Sequence, residues 1–528
     1  MHEKRTFILL LVGLCFLVYT NSLHGLFVSD DIPTIAKNPE IADWQKLLWN
    51  PTGLLNSLNY HIGKFNPFVY HLTNVILHAI ACILAFFFLG LFFKTETAFL
   101  GAALYAVHPI HTEAVSWISG RGHLILGLFM FALYLLYQHK EKGFIYYLLS
   151  LLGFFYIALK SLSLNLFFPF LLVLSDITFG KWRKNWKLWL PFFVVIGLAV
   201  FLGRVMISSR VVSVAKEIGL AGDIWNPKNW TNPIYNMAYS FFEHLVLLLW
   251  PAKLTLYHEP PVITRILLNW ELLGLAVLFF ASFLFFLRKA KEIFFALGLY
   301  VIFLSPTYSP VMVSWLVAER YAYFPSIAYS ILLCFLYERY VKPVTYPKNT
   351  RLSAKDAEEI KLVGIRRNRG LSVFIILIAI YSVRTVIRNE DWKTPGRLWR
   401  ATTEVSFNSP RAHNNMGDAY AQEGNMQGAI NEFKKSVELK PDYADAYHNL
   451  ANIYQFVGNL EEAIVNYQKA IHFNPELFES RYNLGVIYLN SGQINQAIEQ
   501  FEKAIKIRPD NTDARYGLKV ALEKQNAK

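Results

Sequence analysis

Apolar residues fill Ile8 to Tyr19 almost without interruption, and with its flanks this run reaches the roughly 17–20 residues that cross a hydrocarbon core. Lys4 and Arg5 precede it, so its start is expected in the cytosol and its end beyond the opposite membrane face. A polar loop to about Phe65 follows. Further apolar runs then occupy 68–93, 98–118, 122–138, 143–160, 162–179, 188–206, 235–250, 268–287, 292–308, 322–340 and 371–387. Basic residues punctuate the links between them: Lys140 and Lys142, then Lys181, Arg183, Lys184 and Lys187, then Arg288, Lys289 and Lys291. With the last two groups both cytosolic, the run at 235–250 is no simple crossing and is predicted as a re-entrant or interfacial helix broken at Pro251. About eleven spans remain. Their parity places 342–369 in the cytosol and everything after Arg388 on the side where the first span ends. The first run lacks a small-residue cleavage site and reads as an uncleaved span.

The pattern changes after about residue 410. Pro441, Pro475 and Pro509 recur every 34 residues, as do Asn415, Asn449 and Asn483, and Ala429, Ala463 and Ala497. Gly417, Ala451 and Gly485 keep the same period, each followed three residues later by a tyrosine: Tyr420, Tyr454 and Tyr488. A 34-residue period with these residue types is the tetratricopeptide pattern. Small residues let two helices approach, aromatic rings fill between them, and proline ends the second helix. The predicted fold is thus all-α: a polytopic helical membrane domain at 1–390, a connecting helix or linker at 391–410, three repeats at 411–444, 445–478 and 479–512, and a capping helix and tail at 513–528.

At 528 residues, 54% hydrophobic and 16% aromatic, the composition is that of a membrane protein. Cys15, Cys82 and Cys334 each lie inside an apolar run and read as small core residues, neither a CxxC pair nor a disulfide framework. The net charge of +13 resides largely in the short links, which assigns it to membrane orientation and not to nucleic acid.

Candidate chemistry gathers at the predicted outer face. Asp30 and Asp31 follow the first span directly, and two neighbouring carboxylates at a bilayer edge suit acid/base or cation chemistry. Ser29 to Pro33 equally fits a plain turn and helix cap. His71, Asn74 and His78 share one helix face, as a site or as a polar seam between helices. His108-Pro109-Ile110-His111-Thr112-Glu113 precedes Trp117 and Gly120-Arg121; His108 and His111 lack a recognisable third metal ligand, and no metal site is assigned. Arg121 reads as an anion clamp whose planar fork matches phosphate oxygens. Arg320 reads either as a second phosphate contact or as the partner of Glu319 or another carboxylate. The repeated Asn415, Asn449 and Asn483 either grip a peptide backbone or serve the repeat structurally.

Several of these pieces together resemble one family. Asp30-Asp31 after the first span, Asn38-Pro39, Tyr70-His71-Leu72-Thr73-Asn74 leading to His78, the block from His108 to Val115 with Gly120-Arg121, Ala318-Glu319-Arg320 and the repeats are similar to the transmembrane O-mannosyltransferases with tetratricopeptide repeats and their prokaryotic relatives. The resemblance covers nearly the whole chain and implies a GT-C glycosyltransferase. It implies that Asp30 or Asp31 is the catalytic base, that Arg121, Arg320 and Lys160 hold the donor phosphate, and that His71, Asn74, His108, Glu113 and Glu319 support the site. Asn415, Asn449 and Asn483 then form an acceptor peptide groove. The implied donor is a lipid-linked phosphosugar, polyprenyl- or dolichyl-phosphate bearing a mannose-like sugar, and the implied acceptor is a protein or glycan hydroxyl on the non-cytosolic face. The bilayer and protein partners at the repeats complete the set; no cofactor is implied, a divalent metal is left open, and nucleic acid is not a partner. The short array points to a prokaryotic cell membrane. Two departures stand out: Asn50-Pro51-Thr52-Gly53-Leu54 replaces a Tyr-Arg-Pro-Leu-like element, and Leu159-Lys160-Ser161 replaces Ser-Lys-Glu. They keep alive a catalytically inactive scaffold that uses its repeats for protein interaction. A transporter ranks third, because the apolar runs show no inverted repeat.

Overall fold

The computed structural model describes residues 2–48, 50–160, 164–217, 233–258, 281–283, 285–286, 289–308, 317–341 and 354–526. Two compact units emerge, Met1–Thr394 and Pro395–Lys528, and regular structure among the described residues is entirely helical.

The first unit opens with α1 (His2–Tyr19), then short α2 (Trp44–Leu47) and α3 (Pro51–Gly63), long α4 (Pro67–Leu89), α5 (Thr95–Val107), α6 (Thr112–Ser116) and α7 (Arg121–Gln138). It continues with α8 (Phe144–Lys160), α9 (Phe168–Thr178), α10 (Trp182–Glu217), α11 (Pro233–Leu249), α12 (Lys291–Leu304), α13 (Ile327–Tyr340) and α14 (Ala354–Asp391). Four segments among the described residues are long and apolar enough to cross a bilayer: His2–His24, Pro67–Leu89, Ile118–Gln138 and Lys361–Asp391. α4 packs against α1, α5 and α7, and α5 also meets α13 and α14. Rings dominate the core they enclose, with Phe88 against Phe131 and Tyr134, and Tyr105 against Tyr323. On α14, Val373, Ile375, Ile376, Ile380 and Val383 are exposed.

The helices differ from the expected runs at identifiable residues. The run at 98–118 is not one helix: Pro109 has no N–H to continue the ladder and restricts His108 to extended backbone (φ −65°, ψ 124°), so α5 stops at Val107 and a short turn carries the chain into α6. The loop expected as polar up to Phe65 contains α2 and α3. Asn50 caps α3 by accepting from Gly53 N at 3.1 Å, with Pro51 at the first helical position, and Trp44, Leu58, Ile62 and Phe65 lie exposed. The departure at 50–54 is therefore a helix start. α11 ends just before Trp250-Pro251, as the break at Pro251 requires.

The second unit opens with α15 (Pro395–Val405) within the span expected as a linker. Three helical hairpins follow: α16 (Pro410–Gln422) with α17 (Met426–Leu439), α18 (Ala444–Phe456) with α19 (Leu460–Phe473), and α20 (Phe478–Asn490) with α21 (Ile494–Ile507), before α22 (Thr512–Asn526). Gly424, Gly458 and Gly492 turn each hairpin at φ of +81°, +84° and +73°, a conformation in which a Cβ is strained. In the first and third hairpins the small residue of the first helix faces an aromatic of the second. A Cβ on Gly417 would lie 2.6 Å from Phe433, and one on Gly485 would lie 2.9 Å from Phe501. Gly417→Val is therefore expected to destabilise the array by about 1–3 kcal/mol through overpacking. Limited proteolysis of the full chain on a temperature ramp, scoring cuts in 395–528, checks this; an unchanged cutting temperature would refute it.

Candidate active site

Beyond α1 the chain makes a short helical turn over Thr20–His24 and then runs extended to Ser29, whose φ of +52° is unusual for a residue with a side chain. That reversal splits the acid pair. Asp31 is fully buried: Oδ1 accepts from Ser119 N at 2.7 Å and Ser119 Oγ at 2.6 Å, and Oδ2 accepts from Val28 N at 3.1 Å. Burial pushes its carboxyl from the ordinary 3.8 up to about 6, against the opposing pull of the Ser119 and Val28 hydrogen bonds and the Arg121 charge. Asp30 is exposed, and among the described residues its carboxylate has no hydrogen-bond or ion-pair partner. One acid is held and the other faces outward.

The segment that holds Asp31 is pinned from beneath. Asn74 on α4 donates to Val115 O at 3.0 Å and Trp117 O at 3.2 Å, and accepts from Arg121 Nε at 3.0 Å. Arg121 is fully buried, with Nη1 donating to Asn56 Oδ1 at 2.7 Å and Nη2 to Tyr70 O at 3.0 Å. When the Asn59 amide nitrogen donates to Thr73 Oγ1, its oxygen accepts from both terminal nitrogens of Arg121 at 3.1 Å each. All five N–H groups of the guanidinium are then occupied. This corrects the reading of Arg121 as a phosphate clamp: its fork ties α3 and α4 to the loop that carries Ser119. His71 packs against Gly25, where a Cβ would come within 3.0 Å of its Nε2.

On the other side of the same segment lies a second charged group. Arg320 pairs with Glu113, donating through its side chain and through its backbone N–H at 2.8 Å to Oε2. Glu319 pairs instead with Arg388 on α14, Nη2 to Oε1 at 3.1 Å, while Arg388 Nη1 donates to Asp391 at 2.9 Å. The adjacent Glu319 and Arg320 thus pair with different helices. Burial pushes the Glu319 carboxyl up, with Arg388 pulling it back and Glu113 adding to the rise. His258 lies between Glu243, at 3.7 Å, and Glu319, at 4.0 Å. Trp117 and Trp392 stack at 5.8 Å, and Ser116 Oγ donates to Asn389 Oδ1 at 2.8 Å. Asn389 in turn donates to Val18 O and Asn21 Oδ1, both at 2.9 Å, and Leu26 N donates to Lys393 O at 2.9 Å. The end of α14 and the acid-bearing loop therefore occupy the same end of the unit.

The remaining candidates have separate settings. His108 Nε2 bonds Leu248 O at 3.0 Å while its Nδ1 accepts from Ile110 N, and His111 Nε2 bonds Ser326 Oγ at 2.7 Å, so the two rings serve different partners. The Lys160 side chain lies outside the described residues. Asn449 donates to Asn414 Oδ1 and Asn483 to Asn452 Oδ1, both at 3.1 Å, so these amide nitrogens are engaged within the array. Asn415 stands one period earlier, on α16. Cys15, His78 and Cys82, read apart in the sequence, come within 4.8 Å of one another at their ligand atoms and are fully buried. Both His78 nitrogens are already engaged, Nδ1 with Tyr323 OH at 2.8 Å and Nε2 with Ala106 O at 2.9 Å. Sequence reasoning missed Arg384, Arg388, Glu243 and His258. The i, i+4 arginines Arg384 and Arg388 at the C-terminal end of the last apolar run were the available signal.

Comparison with known proteins adds a class to this geometry. The second unit carries tetratricopeptide repeats: the family described as TPR repeat matches residues 417–455 and 457–492, and the tetratricopeptide repeat family matches 478–511. About four-fifths of the chain is similar to protein O-mannosyl-transferases. It is 25% identical over 469 residues to protein O-mannosyl-transferase F38B6.6 of Caenorhabditis elegans, covering 83% of this chain and 63% of the relative. It is 25% identical over 492 residues to human protein O-mannosyl-transferase TMTC3, covering 82% and 51%. The chain thus spans between half and two-thirds of these relatives' length. Among solved structures, the MamA protein is 28% identical over 25% of this chain and 72% of its own, with a TM-score of 0.24.

Two outcomes follow from the pinned loop. Arg121→Lys leaves several of the acceptors on Asn56, Asn59, Asn74 and Tyr70 unpaired, and is expected to lower stability by about 2–4 kcal/mol in a detergent thermal melt; a wild-type melting point would contradict this. Asp31 binds its proton more tightly folded than unfolded, so its contribution to stability falls as pH rises from about 4 through about 6. That fall amounts to about 3 kcal/mol at full titration. Across pH 4–7 the melting point of the wild type should fall relative to that of Asp31→Asn, which lacks this titration, whatever the constant offset from the lost acceptor; parallel curves would refute the shift.

Proposed function

We propose that this chain is a membrane glycosyltransferase that moves a mannose-like sugar from a polyprenyl- or dolichyl-phosphate donor to a protein or glycan hydroxyl at the non-cytosolic face. The observation that carries the reading is the split acid pair, one carboxylate buried and triply hydrogen-bonded, the other exposed and without a partner among the described residues, in a chain similar to protein O-mannosyl-transferases over four-fifths of its length. Asp30 is the general base. Its carboxylate takes the proton from the acceptor hydroxyl as that oxygen bonds to the anomeric carbon. The bond from that carbon to the phosphate oxygen breaks, the lipid phosphate leaves with the electron pair, and the configuration inverts. Asp31 is a positioning residue that fixes the turn bearing Asp30. Arg320, 11% exposed and steadied by Glu113, is the arginine we assign to the donor phosphate, with Lys160 as a further contact. The N-terminus then lies in the cytosol of a prokaryotic cell, the acid end faces outward, and the repeats receive protein partners.

An inactive scaffold acting through its repeats is the second reading, favoured by the occupied guanidinium of Arg121 and the absent Ser-Lys-Glu element. Transfer from mannosyl-phosphoryl-polyprenol to acceptor peptides in membranes separates the two. Asp30→Asn is expected to lower the rate by about 10²–10⁴-fold, the usual worth of general-base help. Full activity of that variant would remove the transferase mechanism. Loss of function only on deleting 411–528, with Asp30→Asn silent, would establish the scaffold.

A further inference from the structure

Inside the first two long apolar helices lies a group that the transfer chemistry does not use. Cys15 is on α1, and His78 and Cys82 stand one turn apart on one face of α4. All three are fully buried, and their ligand atoms lie within 4.8 Å of one another. Both helices are long and apolar enough to cross a bilayer, and ionisable side chains within such segments are costly to place. Three of them gathered at one point form a set of donors for a metal ion.

The spacing leaves room for one ion between them. With bonds of about 2.3 Å to sulfur and about 2.0 Å to nitrogen, neighbouring donors of a tetrahedral zinc ion stand about 3.5–3.8 Å apart. Cys82 Sγ lies 4.0 Å from His78 Nδ1 and 3.6 Å from Nε2. Hydrogen bonding selects the nitrogen. Ala106 O can only accept, so His78 Nε2 carries the proton that reaches it at 2.9 Å, and the lone pair is on Nδ1, where Tyr323 OH donates at 2.8 Å. A metal-bound histidine commonly donates its other N–H to a carbonyl in this way, which fixes the ring. An ion at Nδ1 replaces only the Tyr323 hydroxyl proton. Tyr105 can receive that hydroxyl: its own is buried without a partner, and its ring meets that of Tyr323 edge to face at 5.7 Å. The Tyr19 hydroxyl is also buried without a partner, within electrostatic reach of both sulfurs, and its ring lies edge-on to His78 at 5.1 Å.

Charge selects the metal. Thiolate and imidazole suit zinc and copper(I), whereas magnesium and calcium take oxygen. Two thiolates and a neutral imidazole around Zn²⁺ make a centre of zero net charge; around Cu⁺ they leave one negative charge. An uncompensated charge in that interior is penalised heavily, which favours zinc.

We infer that Cys15, His78 and Cys82 form a structural zinc site that joins α1 to α4, with the Tyr19 hydroxyl beside the fourth position. Binding releases the two thiol protons to solvent. The ion acts as a clip between two helices that serve the acid-bearing end: α1 leads into the turn that carries Asp30 and Asp31, and α4 carries Tyr70 and Asn74, which hold Arg121.

Metal content of the full chain, purified in detergent under reducing conditions, tests the site without reference to sugar transfer. Elemental mass spectrometry should find one zinc per chain. Cys15→Ser and Cys82→Ser should each retain at least about tenfold less. Cys334→Ser is the control, since Cys334 Sγ donates to Thr97 O and is the one cysteine left in the sequence, and its zinc should be unchanged. A second arm uses wild type alone, so that a misfolded variant cannot mimic the result. After a chelator removes the zinc, Co²⁺ should produce a thiolate-to-cobalt charge-transfer band, which Zn²⁺ then abolishes. Wild type that holds no metal and shows no band, or serine variants that keep their zinc, would make the three residues packed core side chains and overturn the inference. Copper in place of zinc would overturn the neutral-centre argument.

Discussion

The occupied guanidinium of Arg121 is the interaction on which the rest of the first unit depends. In a helical bundle without access to water, every buried polar group needs an internal partner. Asn56 and Asn59 on α3, and Tyr70 and Asn74 on α4, supply those partners around one fork. In return they fix the chain from Val115 to Arg121, where the backbone leaves regular helix after Pro109. That segment then presents Ser119 to one carboxylate on one side, and Ser116 and Trp117 to α14 on the other.

Much of this architecture is readable from residue order because it follows simple periods. Long apolar runs mark α1, α4 and α7, and the 34-residue spacing marks hairpins whose turns need glycine at positive φ. The proximity of Asp30 and Asp31 to the first span is equally legible. Their different fates are not: the left-handed Ser29 and a bond partner 88 residues away decide which acid is buried. The role of Arg121 escapes for a related reason. A guanidinium beside a membrane-edge acid pair looks the same in a sequence whether it faces a phosphate or a ring of amides. Here the amides come from Asn56 and Asn59, in a stretch that reads as polar loop and folds as α3. Likewise, Glu319 next to Arg320 implies a local pair, whereas a helical turn sends one to Arg388 and the other to Glu113.

The charged residues at this end divide their labour by burial. Asp31, Arg121, Glu319 and Arg388 are fully enclosed and set geometry, while Asp30 remains accessible and Arg320 partly so. Enclosed charges make the surrounding scaffold stiff, because moving any one strands its partner in a medium that penalises it heavily. A reaction that needs an oriented base gains from such stiffness without requiring the stiff groups to take part in bond making.

The joining of Asn21 to Val386 and Glu390 has a bearing on biogenesis. These contacts link positions 365 and 369 residues apart. At about 5–20 residues per second, the ribosome needs roughly 20–70 s to deliver the second half of that link after the first has entered the translocon. Throughout that interval α1 and the loop that follows it lack these partners. The contacts that hold the end of α14 against Asn21 therefore form only after Glu390 has been made.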